Sequence, residues 1–291
     1  MTDQGLPMPM DAAPHHALVA AAINAIGQPD FPAVLAQLCE TVSGYGSTFI
    51  AAHFTDHSPV ELFDTIGDEH IGATVPPYVE SAYLLDPYHE LFRNGIDDAV
   101  VPLSECAPDD FTASEYYRTF YAGTGLFDET GIIVRFDAES ALIISLGDRK
   151  PDFSLTPVGR RALEALLPVI GALCRRHWPR LEPQTTAGQG RLGHQLEKSF
   201  ERFGTSFLSE RESEIARLVL KGHSSKSIAR LLGNSPETVK VHRKRIYAKL
   251  NIASQGELFS MFLDALSRTP PNADRDPLTY LTRDVVSRPD C

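Results

Sequence analysis

The chain is 291 residues long, and its 38 acidic side chains outnumber 27 basic ones, which gives a formal net charge of -11. That length allows two domains, each with its own core. The sequence contains no apolar run long enough to cross a bilayer and no N-terminal secretion signal. We therefore expect a cytoplasmic protein with no membrane partner.

Periodicity and composition predict that the first part of the chain is an α+β domain. Residues 1–13, which include methionines and prolines, are predicted to be disordered. The following pattern predicts helices at 17–26 and 31–42 and then strands at 48–54 and 60–66. It next predicts a helical stretch at 76–92 that is broken at Asp86-Pro87, a helix at 112–121, strands at 131–136 and 141–146, and a helix at 157–177. This order indicates an antiparallel sheet flanked by helices over residues 14–178.

Two irregular segments are predicted around a second domain. Residues 179–203 read as a linker, because prolines and glycines interrupt the stretch 179–190. The linker ends in a short helix marked by apolar residues at helical spacing, namely Leu192, Leu196, Phe200 and Phe203. Residues 269–291 are predicted to be a tail that is partly ordered near 278–281.

The second domain concentrates positive charge. Between residues 224 and 250, seven basic side chains accompany the single acid Glu237. The region 205–268 carries a net charge of +5, which leaves -16 for the rest of the chain. A basic patch on an acidic protein indicates attraction to a polyanion.

Local signals predict two consecutive helices at the start of this domain. Ser209 and Glu212 form a capping box, and Gly222 suits the left-handed residue that ends a helix. The second helix is predicted at 225–232, with its buried side chains at Ile228, Leu231 and Leu232.

A third, basic helix is predicted after the turn Gly233-Asn234. Ser235 suits its N-cap, and Pro236 suits its first position because proline has no N–H to leave unsatisfied. Two short helices joined by a glycine-containing turn, the second of them basic, are typical of a helix-turn-helix.

The third helix is predicted to have a buried face and a DNA-reading face. The buried stripe consists of Val239, Ile246 and Leu250. On the other side, Lys240 and Lys244 suit guanine edges and Val241 suits a thymine methyl. The remaining candidates are predicted to hold phosphates: Ser225, Lys226, Ser235, Thr238, Arg243, Arg245 and Lys249. The alternative is a solvated lysine-rich surface helix, and the caps, the turn and the paired helices favour DNA.

These motifs resemble the LuxR-type (GerE-like) helix-turn-helix signature, on Leu208-Ser-Glu-Arg-Glu212, Gly222-His-Ser-Ser-Lys-Ser-Ile-Ala229, Leu232, Ser235-Pro-Glu-Thr-Val-Lys-Val-His242 and Tyr247-Ala-Lys-Leu250. The resemblance implies an all-α four-helix domain at 204–268 whose three outward residues face the bases. It also implies a homodimer formed with the fourth helix near 254–266, a two-fold symmetric double-stranded DNA operator and RNA polymerase as a partner. Gln255 departs from the family, which usually has arginine there.

The order of elements in the first domain is similar to the GAF/PAS-like sensor domains of LuxR-type regulators, which include autoinducer-binding sensors of acyl-homoserine lactones. Tyr78, Tyr83 and Asp86-Pro87 resemble part of the ligand-binding segment of these sensors, although its tryptophan is absent. The resemblance implies a small-molecule effector. The predicted ligand contacts are Tyr78, Tyr83, Asp86, Tyr88, Tyr117 and Phe120.

The clustered tyrosines have two further interpretations. They are equally consistent with amphipathic core and rim residues. Alternatively, together with Asp86, Glu90 and Glu115, they suit a cationic amine through cation–π contacts.

Other functional classes fit the sequence less well. A phosphorylated receiver domain needs acidic residues at strand ends, and Asp97-Asp98 and Asp109-Asp110 lie outside such positions. Control by phosphorylation, or by protein partners without a ligand, stays as the alternative. A purely structural adaptor would leave the outward lysines unexplained.

Enzymes and metalloproteins are also disfavoured. The motifs GxSxG, HExxH, the P-loop and the dinucleotide fingerprint are missing, so we predict no catalytic residue and no cofactor. The four cysteines lie far apart without metal-ligand spacing, so we predict no metal site. Cys39 and Cys174 occupy apolar helix positions, which favours buried thiols over disulfides.

Overall fold

The computed structural model describes residues 13–80, 82–108, 111–183, 198–270 and 273–281. Several predictions lie outside the described residues, namely those for residues 1–12, linker residues 184–197 with Leu192 and Leu196, the pair Asp109-Asp110, and the tail from residue 282. Within the described ranges, no helix is both long enough and apolar enough to span a membrane.

The N-terminal part of the chain is an α+β domain, as the sequence predicts. Its elements are α1 Ala13–Ala25, α2 Phe31–Ser43, β1 Ser47–Phe54, β2 Val60–Asp64, α3 Asp68–Glu80, α4 Pro87–Arg93, β3 Ala99–Pro102, α5 Leu103–Cys106, α6 Glu115–Thr119, β4 Asp128–Arg135, β5 Ser140–Asp148 and α7 Pro157–His177. Short 3-10 helices lie at Ala82–Leu85, Phe111–Ala113 and Tyr121–Thr124.

The five strands form one antiparallel sheet in the order β2-β1-β5-β4-β3. Successive side chains of a strand point to opposite faces, so the sheet has two distinct sides. Ile132 and Ile144 lie on the side that packs in one core with residues of α2 and α7. Glu129 and Ser145 lie on the other side, which borders a cavity beneath the helices that follow β2.

Three elements differ from the sequence prediction. The helix predicted from residue 76 begins at Asp68, so Pro76 and Pro77 lie inside α3. β3 was not predicted, because four residues are too few to show strand alternation. β4 begins at Asp128 and so includes Glu129, before the apolar run that predicted it.

Four helices form the C-terminal domain, as predicted: α8 Glu210–Leu220, α9 Ser225–Leu231, α10 Pro236–Leu250 and α11 Gln255–Arg268. The capping box at Ser209 and Glu212 is present, and the Ser235 hydroxyl accepts from the N–H of Thr238. Gly222 has φ of 93° after α8, which confirms the left-handed end. The prediction that Leu231 is buried is wrong: it ends α9 at the rim of a groove and is 55% exposed.

The described part of the tail packs on the helical domain. The Asp276 carboxylate accepts hydrogen bonds from the N–H groups of Gly204 (3.0 Å), Ser206 (2.7 Å) and Leu278 (3.0 Å). Leu278 and Leu281 are buried in the hydrophobic core of this domain, together with residues of α11. The tail residues 273–281 are therefore part of the folded domain.

The two domains contact each other directly. Phe111 and Tyr116 of the N-terminal domain belong to the same hydrophobic core cluster as Leu220 and Phe262 of the C-terminal domain. At the junction, a Cβ added to Gly222 would lie 2.8 Å from Cβ of Ser114. The glycine therefore permits a close approach of α8 to the segment that starts α6.

Candidate DNA-binding face and ligand cavity

The basic helix α10 presents the predicted faces. Val239, Ile246 and Leu250 are buried, as predicted. Lys240, Val241 and Lys244 share the outer surface, where Val241 is 49% exposed although it is apolar. An apolar side chain between two exposed lysines is suited to a groove that offers base edges and methyl groups. Their contact with bases stays a prediction.

Four of the predicted phosphate contacts lie on the surface of the helix-turn-helix. Lys226, Ser235, Thr238 and Arg245 are exposed. The hydroxyls of Ser235 and Thr238 lie 2.9 Å apart at the start of α10. Exposed hydroxyls and N–H groups at a helix N-terminus suit a phosphate oxygen.

Arg243 and Ser225 are bound to each other and are only partly exposed. Arg243 donates to the Ser225 hydroxyl at 3.3 Å, to the Tyr247 hydroxyl at 3.1 Å and to the side-chain oxygen of Gln255 at 3.3 Å. The amide nitrogen of Gln255 donates to the Val219 carbonyl at 3.2 Å. Gln255 therefore links α8, α10 and α11 without a charge, at the position where the family usually has arginine.

The structure places Lys249 differently from the prediction. Its Nζ lies 2.7 Å from Oε2 of Glu212, whose side chain is buried at the start of α8. Burial raises the pKa of Glu212, but hydrogen bonds from Lys249 and Ser209 outweigh it and hold the pKa below its usual value. In the folded chain, Lys249 therefore supports the capping box through Glu212, whereas the sequence predicts a phosphate contact for it.

A cavity of about 60 Å³ lies in the N-terminal domain between the sheet and the segment from α3 to the 3-10 helix after α6. Aromatic rings make up much of its wall, together with hydroxyls and charged groups. The lining residues are Ser47, Thr48, Phe49, Ile66, Thr74, Tyr78, Asp86, Pro87, Leu103, Phe111, Tyr116, Phe120, Tyr121, Thr124, Leu126, Glu129, Ser145, Gly147 and Arg149. A mostly apolar cavity with a few polar groups is typical of a ligand site.

Asp86 is held in a defined orientation on this wall. It is the N-cap of α4, where Oδ1 accepts from the N–H of Tyr88 at 2.9 Å, and its Oδ2 accepts from the Tyr78 hydroxyl. Burial raises the pKa of Asp86 to about 6, although these two donors act in the opposite direction. The conformation of Asp86 is therefore fixed before any ligand arrives.

Glu129 is a second buried carboxylate on the wall, and sequence reasoning did not select it. Burial, and then repulsion by Asp86, raises its pKa to about 7. The Tyr121 hydroxyl lies beside it but is buried and makes no hydrogen bond of normal geometry with any described residue. Glu129 lies two residues before the strand that the sequence predicts at 131–136, so no local signal placed it on the sheet.

Only half of the predicted ligand contacts line the cavity. Tyr78, Asp86 and Phe120 do. Tyr83 packs edge-on against His89. The ring of Tyr88 packs directly on Gly131, where an added Cβ would lie only 2.6 Å from the ring. Tyr117 stacks on Tyr121 outside the wall. Tyr83, Tyr88 and Tyr117 are therefore packing residues, in line with the core interpretation.

Two buried histidines connect the cavity wall to the junction between the domains. The Tyr78 hydroxyl lies 3.5 Å from Nε2 of His53, and Nδ1 of His53 lies 3.0 Å from Nδ1 of His89. His89 also lines the groove between the domains, beside Lys221. Burial lowers the pKa of both histidines, that of His89 to about 3, so the pair is uncharged at neutral pH.

The fold and the exposed basic helix define a helix-turn-helix regulator with a second, cavity-bearing domain. Residues 206–262 match the GerE family model, described as bacterial regulatory proteins of the luxR family. A putative HTH-type transcriptional regulator in the exeN 3' region of Aeromonas salmonicida is 32% identical over 192 residues, which cover 64% of this chain and 96% of that protein. The chain belongs to the LuxR family of helix-turn-helix transcriptional regulators.

Two further similarities cover smaller shares of the chain. The transcriptional regulatory protein TdiR of Thauera aromatica is 45% identical over 71 residues, which are 24% of this chain and 31% of TdiR. The LBD domain of VqsR from Pseudomonas aeruginosa is 25% identical with a TM-score of 0.49, over 56% of this chain and 94% of that domain.

Proposed function

We propose that this transcriptional regulator is controlled by a small molecule that binds in the cavity of the N-terminal domain. The controlled activity is sequence-specific binding of double-stranded DNA by a homodimer. Lys240, Val241 and Lys244 contact bases, and Lys226 and Arg245 hold phosphates beside them. The homodimer then acts on transcription through RNA polymerase.

The observation that carries this proposal is a shared aromatic wall. Phe111, Tyr116 and Tyr121 line the cavity and are also buried in the core cluster that includes Leu220 at the end of α8. A ligand that moves these rings changes the surface on which the DNA-binding domain packs. Ligand binding can therefore favour one arrangement of the two domains over another.

The DNA-binding geometry requires two copies of the chain. Two recognition helices enter successive major grooves only if they lie one DNA turn apart, about 34 Å. The exposed side of α11, where Leu263 is 43% exposed, is the proposed contact between the two helical domains. The net negative charge of the rest of the chain repels DNA, so DNA binding depends on the orientation of the helical domain relative to that remainder.

Selection of duplexes from a random pool by the full-length chain tests the DNA-binding part. We expect an enriched, two-fold symmetric site, and a dimer by light scattering. Fluorescence anisotropy on that site, with and without a small-molecule extract of the host, tests the control. Enrichment of no site contradicts DNA reading, and an affinity that no extract changes contradicts ligand control.

A cavity-filling variant, Ser145→Leu, separates the two parts. Ser145 lines the cavity and lies far in the chain from α10. We expect the variant to bind the selected duplex but to lose the response to the extract. The control is Ala138→Leu, since Ala138 lies in the exposed turn before the same strand and does not line the cavity.

A further inference from the structure

The cavity contains two carboxylates that are almost completely buried. Asp86 is 7% exposed and Glu129 is 8% exposed. Asp86 accepts hydrogen bonds from Tyr78 and Tyr88, and neither carboxylate forms an ion pair with a lysine or arginine in the part of the chain that the structure describes. The two groups are close enough to repel each other.

Two buried acids without a counter-charge are unfavourable in a folded protein. Removing a carboxylate from water is unfavourable unless a cation or several hydrogen-bond donors replace the water. Among the described residues that line the cavity, Arg149 carries the only positive charge. Its Nε donates to the Thr124 carbonyl at 3.0 Å and its Nη1 lies 3.5 Å from the Ser47 hydroxyl. The wall therefore holds two acids for one arginine.

The rest of the wall also suits a cation. Tyr116, Phe120 and Tyr121 present rings around the acids, and a ring face attracts an ammonium group. The Tyr121 hydroxyl, in a residue that is 7% exposed, lies beside Glu129 and has no hydrogen bond of normal geometry with any described residue. An ammonium group donates several hydrogen bonds, and a hydroxyl that donates to a carboxylate can still accept one.

We infer that the effector is a small organic amine in its protonated form, bound by Asp86 and Glu129 and enclosed by the aromatic rings of the cavity. This inference rests on the proposed ligand control and names the chemical class of the ligand. It differs from the amine site suggested by the sequence, because Glu90 is paired with Lys221 at the domain junction and Glu129 takes its place. The side chain of Glu115 lies outside the described residues.

Calorimetric titration of the full-length chain tests the charge of the ligand. The probes are ethanolamine, putrescine and 2-phenylethylamine, each compared with the neutral molecule that has hydroxyls in place of the amines. We expect at least one amine to bind at least tenfold more tightly than its neutral counterpart. If no amine binds, or if the neutral molecules bind equally well, the inference is wrong.

Two variants locate the charge recognition. Glu129→Gln should weaken binding of that amine at least tenfold, because it removes one acid and keeps the shape of the side chain. Glu139→Gln, on an exposed turn, removes the same charge outside the cavity and should leave binding unchanged. Equal affinity of Glu129→Gln and the parent for the amine contradicts the site.

An uncharged acyl-lactone probe distinguishes this inference from the proposed function. If uncharged N-octanoyl-homoserine lactone binds and changes DNA affinity while all amines fail, ligand control stands and the amine class is wrong. If host extract and every probe leave DNA affinity unchanged, ligand control itself fails. Thermal unfolding of Glu129→Gln checks its fold, and the comparison of amines with neutral molecules on the parent chain needs no variant.

Discussion

Nζ of Lys221 lies 2.8 Å from Oε1 of Glu90, and this ion pair joins the end of α8 in the DNA-binding domain to α4 in the N-terminal domain. Both side chains are mostly covered, 21% and 28% exposed, so solvent screens the pair less than a surface pair. Next to it, Arg93 pairs with Glu201 at 2.6 Å across the same junction. The junction therefore has polar contacts at the rim of its aromatic core.

A double-mutant cycle on Glu90→Gln and Lys221→Met measures this contact. We expect a coupling free energy of about 1 kcal/mol in urea unfolding, at the upper end for exposed pairs because this one is partly buried. The control cycle uses Arg211 and Glu214, an i,i+3 pair inside α8 that does not cross the junction. Its coupling should be about 0.3 kcal/mol. A junction coupling no larger than that of the control shows that the domains do not dock this way in solution.

Lys240→Ala tests base reading. We expect a loss of about 1–3 kcal/mol on the selected duplex and a smaller loss on random DNA, because a base contact adds affinity only where the base matches. Lys226→Ala is the matched control, since a phosphate contact should weaken both duplexes alike and lower the salt slope by about one unit. Equal losses on both duplexes for Lys240→Ala refute its assignment. Fluorescence anisotropy at several salt concentrations provides both readouts.

Local features of the fold could be predicted from the sequence, and contacts between distant segments could not. The capping box at Ser209, the Pro236 start of α10 and its buried stripe depend on neighbours within a few residues, so their signals are complete in the sequence. The sequence predicts a phosphate contact for Lys249 because its partner Glu212 lies 37 residues earlier, two helices before α10 and beyond any local pattern.

The cavity shows the same limit. Tyr78 and Asp86 lie close together in the sequence and were found, whereas Glu129 reaches the same wall through the register of β4 with β5. The sequence pattern could not show that Tyr78 lines the cavity while Tyr83 and Tyr88 are packed in the core. Which side each tyrosine faces depends on how the short helices pack on the sheet. The partition of aromatic residues between cavity and core is a tertiary property.

Lys249→Met should affect stability more than DNA binding. It leaves the buried carboxylate of Glu212 with only the donors of Ser209, so we expect a loss of about 1–2 kcal/mol in unfolding free energy, discounted because Lys249 is 36% exposed. The pKa of Glu212 is lowered in the folded chain, so the pair stabilises above the ordinary pKa of 4.5 and this contribution disappears as the pH falls through the folded value. The salt slope on DNA should match that of the parent chain. A slope reduced by about one unit with unchanged stability would return Lys249 to the phosphate contacts.

Asp276→Ala tests whether the tail belongs to the domain. The variant leaves three N–H groups without their acceptor, those of Gly204, Ser206 and Leu278. We expect an unfolding free energy lower by about 1–3 kcal/mol and faster amide exchange at Ser206 and Leu278. Asp274→Ala is the control, because that side chain is 82% exposed and should change stability little. Unchanged exchange at Leu278 would contradict docking of the tail.

Glu129→Gln should stabilise the protein without ligand, and more so at higher pH. The folded pKa of Glu129 is raised from 4.5 to about 7, so its contribution is full below 4.5 and is lost as the pH rises through about 7. The advantage of the glutamine variant in unfolding free energy should therefore increase by about 3 kcal/mol between about pH 5 and about pH 8. His53 and His89 also make stability depend on pH here, with the opposite sign, because they take up protons near their ordinary pKa of 6.5 only in the unfolded chain. This contribution is common to both chains and cancels in the difference. Urea unfolding of the variant and the parent at matched pH values, with Glu139→Gln as the control, measures this difference in unfolding free energy. A difference that does not grow with pH means that the Glu129 carboxylate is solvated in solution.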